Sequence, residues 1–519
     1  MTTKLGLAGR GVALAATAGV LAGVGAIFGV GARATASTAD APIPNLVGGT
    51  SVSVTSAPVG PRVPDGFLGI SMEYHSLEDY VGGNPRKPDP AFLQLLRNLA
   101  PTGTSVLRLG GDSTDWTWWP VPRMAPPGGA KFDLTPQYAA LLKAVAQDVH
   151  AKLLLGINFE ADSQKVAAYE EQQLTSHIGN SLIDAFELGN EPELYSAYSW
   201  YKARDGKGVY GRPRDYTPLA FLMDYAYIAS ALPKEPLAGP DSGSAQWLNL
   251  PEFLHTQPRL SLVTLHTYPL RHCGPGAAPP AEAQLFWPSS LQLLANEVGS
   301  WVQIASARHL PLRIDEMNSV TCGGWPAVSG SFGPALWALN ILPMYAEAGT
   351  VGVNFHTTPF TWQSLLEPVS KPVFIAGGLT AVQPEYYGLL AFAKLAPPGS
   401  QMLKSSVSSG DGLFEWADRT PSGQENVVLT NPSSVGGNVN VSVPSQTAPA
   451  TVTMLRSNGL SSTAQPTLAG QSLSASTGQL VGTVRSTSVK ASGNGHHTYE
   501  VRLPAASAAI LSFGAVAST

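Results

Sequence analysis

Between residues 67 and 356 the chain repeats one pattern eight times: a short apolar run, then a longer stretch with helical spacing. The runs are Phe67–Glu73, Ser105–Gly110, Lys152–Asn158, Ala185–Glu191, Leu237–Asp241, Leu262–Tyr268, Leu312–Asn318 and Val351–His356. Short, nearly continuous apolar runs are what strands buried on both faces look like. Between them, Phe92-Leu93-Leu95-Leu96-Leu99, Tyr138-Leu141-Leu142-Val145 and Phe221-Leu222-Tyr225-Ile228 fall on single helical faces, as do Leu291-Leu294-Val298-Val302 and Leu336-Leu339-Ile341. A last helix starts at Pro384 and carries Tyr387, Leu390 and Phe392. Eight β-then-α units over about 330 residues predict an α/β fold, a (β/α)8 TIM barrel with some long loops.

The flanks read differently. After Pro397-Pro398-Gly399 the helical period disappears, and short alternating segments follow between Gly, Ser, Asn and Pro clusters. They predict an accessory antiparallel β-sandwich over 398–519. Residues 37–60 include the alternating Ser51-Val52-Ser53-Val54, a strand expected to join that sandwich, which leaves 61–397 for the barrel. At the start, Lys4 and Arg10 precede an uncharged run from Gly11 to Val30, and Ala34-Thr35-Ala36 offers a cleavage site. Residues 1–36 therefore read as a signal peptide for export, to the medium, the periplasm or the cell surface. Kept uncleaved, the same run would be a membrane anchor. No later segment is apolar enough to span, so no stable membrane span is expected after signal removal.

Composition narrows the partners. With 13% charged residues and a net charge of −5 among 519 residues, the chain offers no strongly basic surface overall. Nucleic acid is not an expected partner. The two cysteines, Cys273 and Cys322, suggest one disulfide in an exported protein. No Cys or His pairs stand at ligand spacing around them, and neither metal nor cofactor is expected.

A barrel gathers the C-terminal ends of its strands at one mouth, and chemistry is built there. Those ends are polar: Glu73; Arg108 and Asp112; Asn158; Asn190 and Glu191; His266 and Tyr268; Asp315, Glu316 and Asn318; Asn354 and His356. In Asn190-Glu191-Pro192, proline stops the fourth strand and leaves a carboxylate at its tip. With Glu316 on the seventh strand, Glu191 forms the pair a glycosidase needs. One carboxyl protonates the leaving oxygen, and the other attacks the anomeric carbon or activates water. The charge on Glu316 would keep the proton on Glu191, and its loss on glycosylation would free Glu191 to act as base. Glu187, four residues before Glu191, sits lower in the barrel or pairs with a cation. His266 is a site residue or a core histidine; Trp116 is a sugar platform or core; Asp112 bonds the sugar or orders the turn after two glycines.

Four blocks in order resemble glycoside hydrolase family 79, which includes β-glucuronidases and heparanases. They are Phe67-Leu68-Gly69-Ile70-Ser71-Met72-Glu73, Arg108-Leu109-Gly110-Gly111-Asp112-Ser113-Thr114-Asp115-Trp116, Phe186-Glu187-Leu188-Gly189-Asn190-Glu191-Pro192 and Asp315-Glu316-Met317-Asn318-Ser319. The resemblance covers most of residues 50–515. It implies a retaining mechanism with Glu191 as acid/base and Glu316 as nucleophile. It further implies that Asn190 bonds the sugar 2-hydroxyl, Arg108 keeps Glu316 ionised, Tyr268 orients it and Glu73 binds sugar hydroxyls. The expected substrate is a glycan ending in β-linked glucuronic acid or its 4-O-methyl form. Donors for the sugar carboxylate are sought in Arg271, His272, Gly323, Gly324 and the Thr357–Trp362 stretch. Cys273 and Cys322 follow adjacent strands, so their disulfide would tie two of these loops. Two rivals stay open: an endo-acting enzyme like heparanase or hyaluronidase, and a non-catalytic glycan-binding surface protein on the same scaffold.

Overall fold

The computed structural model describes residues 43–232, 234–273, 276–358, 382–408, 412–492 and 497–514. The export segment and most of the Thr357–Trp362 stretch lie outside the described residues. No described helix is long and apolar enough to cross a membrane.

Eight parallel strands close into a barrel. In chain order they are Leu68–Glu73, Ser105–Gly110, Ala151–Ile157, Ile183–Leu188, Leu237–Ser242, Leu260–Thr267, Leu312–Met317 and Gly352–Thr357. Each pairs with the next, and the eighth closes on the first through Val353↔Leu68 to Thr357↔Met72. Several surrounding helices share one start signal. Asp89-Pro90, Thr135-Pro136 and Thr217-Pro218 each put a capping side chain before a proline. The cap accepts from an otherwise orphaned N–H, and proline at the first helical position lacks only a donor that had no partner.

The second domain is a mostly antiparallel ten-stranded sheet. Its N-terminal strand, Ser51–Arg62, runs antiparallel to Gln401–Val407 and parallel to Gly437–Ser442. The strand is longer than Ser51–Val54 and carries the chain directly into the barrel. Two inner strands, Glu425–Asn431 and Ser507–Phe513, are apolar on both faces. Val427, Leu429 and Leu511 join the sandwich's own core, whereas their neighbours Val428 and Ile510 join the barrel's core. Successive side chains in a strand point to opposite faces. The outer face of this sheet is therefore covered by the barrel, and the two domains share an apolar interface.

Candidate active site

Arg108, on the second barrel strand, is wholly buried at the centre of the mouth. Its Nε lies 2.7 Å from Glu187 and 3.1 Å from Asp315. One terminal nitrogen donates to Glu316 Oε2 at 2.7 Å and to Ser71 Oγ at 3.1 Å. The other donates to Asp241 at 2.7 Å and to Asn190 Oδ1 at 3.0 Å. A planar fork of five N–H donors is suited to holding so many oxygens in fixed directions.

Two β-bulges make this cluster possible. Along the seventh strand, Leu265 pairs with Ile314 and His266 with Glu316, so Asp315 is an extra residue. Strict alternation would send Asp315 and Glu316 to opposite faces; the bulge turns both toward Arg108. On the fifth strand, Pro240 pairs with Thr264 and Ser242 with Leu265, which leaves Asp241 as the extra residue, at φ +57°.

Four buried carboxyls around one guanidinium exceed its charge. Burial and the neighbouring Asp241 push Glu187 up to about 7. Burial lifts Asp241 to about 6 against the pull of Arg108. His266 supplies a second cation. Its Nε2 lies 2.7 Å from Asp241 and its Nδ1 3.1 Å from Glu191 Oε1. Burial opposes the charged ring, but Glu316, Asp315 and Asp241 outweigh it and hold its pKa well above the usual value. Nε2 donates to Asp241, while Nδ1 can donate to an ionised Glu191 carboxyl or accept from a protonated one. Asp241, His266 and Asp315 also bring ligand atoms within 4.8 Å of one another. Arg108 already bonds both acids, so a metal ion there would have to displace the guanidinium.

Glu316 receives one donor on each oxygen: Arg108 on Oε2 and the Tyr268 hydroxyl, at 2.7 Å, on Oε1. Burial favours its neutral form. The charges of His356, His266 and Arg108, with the Tyr268 hydrogen bond, overcome that and hold its pKa far below the usual carboxylate range. His356 stands between Glu316 (3.6 Å) and Glu73 (3.5 Å), with Ser71 Oγ at 3.0 Å from Nδ1. Glu73 in turn accepts from Ser113 N at 2.7 Å.

Glu191 lies just past the fourth strand rather than on it. Its backbone is left-handed at φ +47°, ψ +61°, a strained conformation for a residue with a side chain. A hydrogen bond from its N–H to Asp241 O at 2.9 Å fixes the turn. The preceding residue is held equally firmly: Asn190 N–H donates to Asp115 Oδ2 and to Tyr195 Oη. The floor opposite must be glycine, because a Cβ on Gly243 would lie 2.1 Å from Glu191 Oε1.

Of the residues singled out in the sequence, Glu73, Arg108, Asn190, Glu191, His266, Tyr268 and Glu316 converge on this mouth. Asp112 lies at its exposed edge, 3.5 Å from Asn190 Nδ2. Trp116 is half-buried, with the Lys131 ammonium 3.7 Å from its ring centroid, while Trp118 and Trp119 are core. Glu187 pairs with a cation, the second of its two sequence readings. Cys273 and Cys322 form a disulfide with Cα atoms 5.3 Å apart, joining the loops after the sixth and seventh strands. Sequence reasoning overlooked Asp241 and Asp115. Asp115 is the hub behind Asn190, accepting from Phe159 N, Glu160 N and Tyr195 OH as well. Its position in the Gly-Gly-Asp-Ser-Thr-Asp-Trp block was the available signal.

Melting temperature should fall between pH 5 and pH 9. Burial raises Glu187 to about 7, Glu193 and Glu385 to about 8 and Glu160 to about 9. In the unfolded chain such groups titrate near about 4.3. Between those values the folded chain binds more protons, so stability declines as pH rises. Glu316, held low, acts in the opposite sense but only in acid below this range. Calorimetry at constant ionic strength checks the slope, which Glu160→Gln should flatten. A melting temperature that rises across the range would contradict it.

Comparison with known proteins agrees with the geometry. Residues 414–510 match the glycosyl hydrolase family 79 C-terminal beta domain. A β-glucuronidase of Neurospora crassa is 24% identical over 410 residues, covering 71% of this chain and 70% of the relative. The chain is a glycosidase, and its C-terminal domain is similar to that of family 79. Among solved structures, a 4-O-α-L-rhamnosyl-β-D-glucuronidase from Fusarium oxysporum superposes with TM-score 0.66 at 17% identity, over 89% of this chain and all of that one. A family 51 arabinofuranosidase from Xanthomonas axonopodis pv. citri gives 0.62 at 14% identity, over 90% and 100%. Both share the fold, a barrel carrying a β-sandwich.

Proposed function

We propose that the enzyme is an exported, retaining exo-β-glucuronidase that releases terminal β-linked glucuronic acid from a glycan. The observation that carries the reading is the state of Glu316. A carboxylate kept ionised, with a donor fixing each oxygen, is prepared to attack an anomeric carbon rather than to deliver a proton. Glu191 has a freer, partly exposed carboxyl with His266 Nδ1 at 3.1 Å as its hydrogen-bond partner, as suits an acid that must then become a base. In the first step Glu191 protonates the leaving oxygen while Glu316 bonds to the anomeric carbon. In the second, Glu191 takes a proton from water as water displaces Glu316.

For the sugar carboxylate we favour the disulfide-tied loop. Cys322, Gly323 and Gly324 are three consecutive residues at positive φ (+57°, +81° and +81°), a path that glycine permits, and the Gly324 N–H is already taken by Thr321 O at 3.2 Å. Arg271 and His272 stand on the partner loop. The β-glucuronidase relative supports glucuronate as the sugar, and the disulfide suits an oxidising compartment.

The test is a panel of 4-nitrophenyl β-glucuronide, β-glucoside and β-xyloside, with proton NMR of the first sugar released. The glucuronide should be preferred over the glucoside by at least about 100-fold in kcat/KM, since a site built for an anion leaves donors unpaired without it. The β-anomer should appear first. Preference for a neutral sugar, or first release of the α-anomer, would overturn the reading.

A further inference from the structure

We propose that the rim beyond Glu191 is a docking surface for an anionic glycan on the leaving-group side of the site. The proposal rests on the reading of Glu191 as the acid. That residue protonates the leaving oxygen, so whatever lies beyond it receives the rest of the glycan.

The loop that leaves Glu191 forms a small hairpin, Tyr201–Lys202 paired with Gly208–Val209. Around it Lys202, Arg204, Lys207 and Arg214 are exposed. Within 196–216 the only acids are Asp205 and Asp215, in a chain whose net charge is −5. Lys207 pairs with Asp205 at 3.1 Å. Lys202 and Arg204 make no ion pair among the described residues, and neither does Lys131 on the neighbouring loop. A basic stretch this local is not explained by neutralising nearby acids.

The cations lie among aromatic rings, the combination that suits a charged sugar chain. Arg214 lies 3.9 Å from the Tyr210 centroid and Lys131 3.7 Å from that of Trp116. Tyr198 is about half exposed. The hairpin is also braced. Trp200 Nε1 donates to Asp115 O at 2.8 Å, the same Asp115 whose side chain holds Asn190. The loop after the second strand presses on it so closely that a Cβ on Gly129 would lie 2.1 Å from the Trp200 ring. The hairpin is thereby fixed to the frame of Glu191. The floor of the mouth is lined by carboxylates, whereas the cations stand outside it, so a second anionic group on the substrate is better placed on this rim than in the floor.

The shared ligand chemistry is a glycan bearing carboxylate or sulfate groups. The test compares the enzyme with a Lys202→Ala/Arg204→Ala/Lys207→Ala variant. On 4-nitrophenyl β-glucuronide the two should agree within about twofold, because that substrate does not reach the hairpin. For a glucuronate-terminated hyaluronan tetrasaccharide at low salt, KM should rise about tenfold in the variant while kcat holds, and the difference should shrink as salt screens the charges. Calorimetric binding to enzyme carrying Glu316→Gln, with and without the hairpin changes, reads the surface without turnover. The probes are the hyaluronan tetrasaccharide (carboxylate), a heparin tetrasaccharide (sulfate) and cellotetraose (neutral). Hairpin-dependent, salt-sensitive binding of either anionic probe supports the proposal and identifies the anion. Equal affinities with and without the hairpin cations, or an equal loss for cellotetraose, overturn it. If 4-nitrophenyl β-glucuronide is not cleaved at all, the glucuronidase reading fails by itself, and the binding arm still decides the surface.

Discussion

Replacing Glu316 with Gln is expected to lower kcat/KM for a β-glucuronide by at least about 10⁴-fold, with little change in substrate binding. The reason is local. An amide cannot form the glycosyl bond, yet it fills the same space and can keep both neighbours. Its oxygen accepts from Arg108, and its NH2 can donate to the Tyr268 hydroxyl in place of the bond now made to Oε1. The fold should therefore survive, and the loss should fall on kcat. The charge also matters at a distance. Glu316 is the largest attraction holding the proton on His266, and also on His356, against the cost of burial. With Gln at 316 both imidazoles should titrate at lower pH, a shift that NMR of the two rings can follow independently of turnover. Activity within about 100-fold of the wild type would remove Glu316 from the role of nucleophile. Unchanged imidazole titration would sink the electrostatic account of the site.

The architecture was readable because buried parallel strands leave a local trace. All eight runs lie within two or three residues of the observed strands, and the Arg108 strand coincides with its run, Ser105–Gly110. The fifth, Leu237–Ser242, was visible as a run, but Asp241 was not visible as a site residue. Its orientation depends on a bulge whose register is set by the neighbouring strand, not by its own sequence. The same holds for Asp315. Period-two arithmetic would place it outside the barrel once Glu316 faces inward. His356 was seen as a polar strand end, but its contacts with Glu73 and Ser71 require the eighth strand to close on the first, a pairing 285 positions apart for His356 and Ser71. The sandwich shows the converse. Its inner strands do not alternate, because another domain covers the face that would otherwise meet water.

Arg108→Met should destabilise the fold by about 3–5 kcal/mol at neutral pH and silence the enzyme. The side chain removed is the common partner of Glu187, Asp241, Asp315 and Glu316. A thioether of similar length fills the space but supplies no charge, so the four carboxyls would be left with the imidazole of His266 and, beside Glu316, that of His356. Each would respond by holding its proton more tightly, and the folded state would bind more protons than it does now. Stability lost at pH 8 should therefore be partly recovered at pH 5, a steeper pH dependence than that of the parent chain and of the same sign. Arg108→Lys separates charge from geometry. Its single ammonium restores one positive charge but cannot reach Glu187 on one side and Asp241 on the other. Stability should return further than activity, since Glu316 and Asn190 both take their orientation from the two terminal nitrogens of Arg108. Urea unfolding at pH 5 and pH 8 measures the first effect, and kcat/KM of the lysine variant the second. If Arg108→Met unfolds at the same urea concentration as the parent at pH 8, the surrounding carboxyls are already neutral, and the ionised centre assigned to this mouth does not exist.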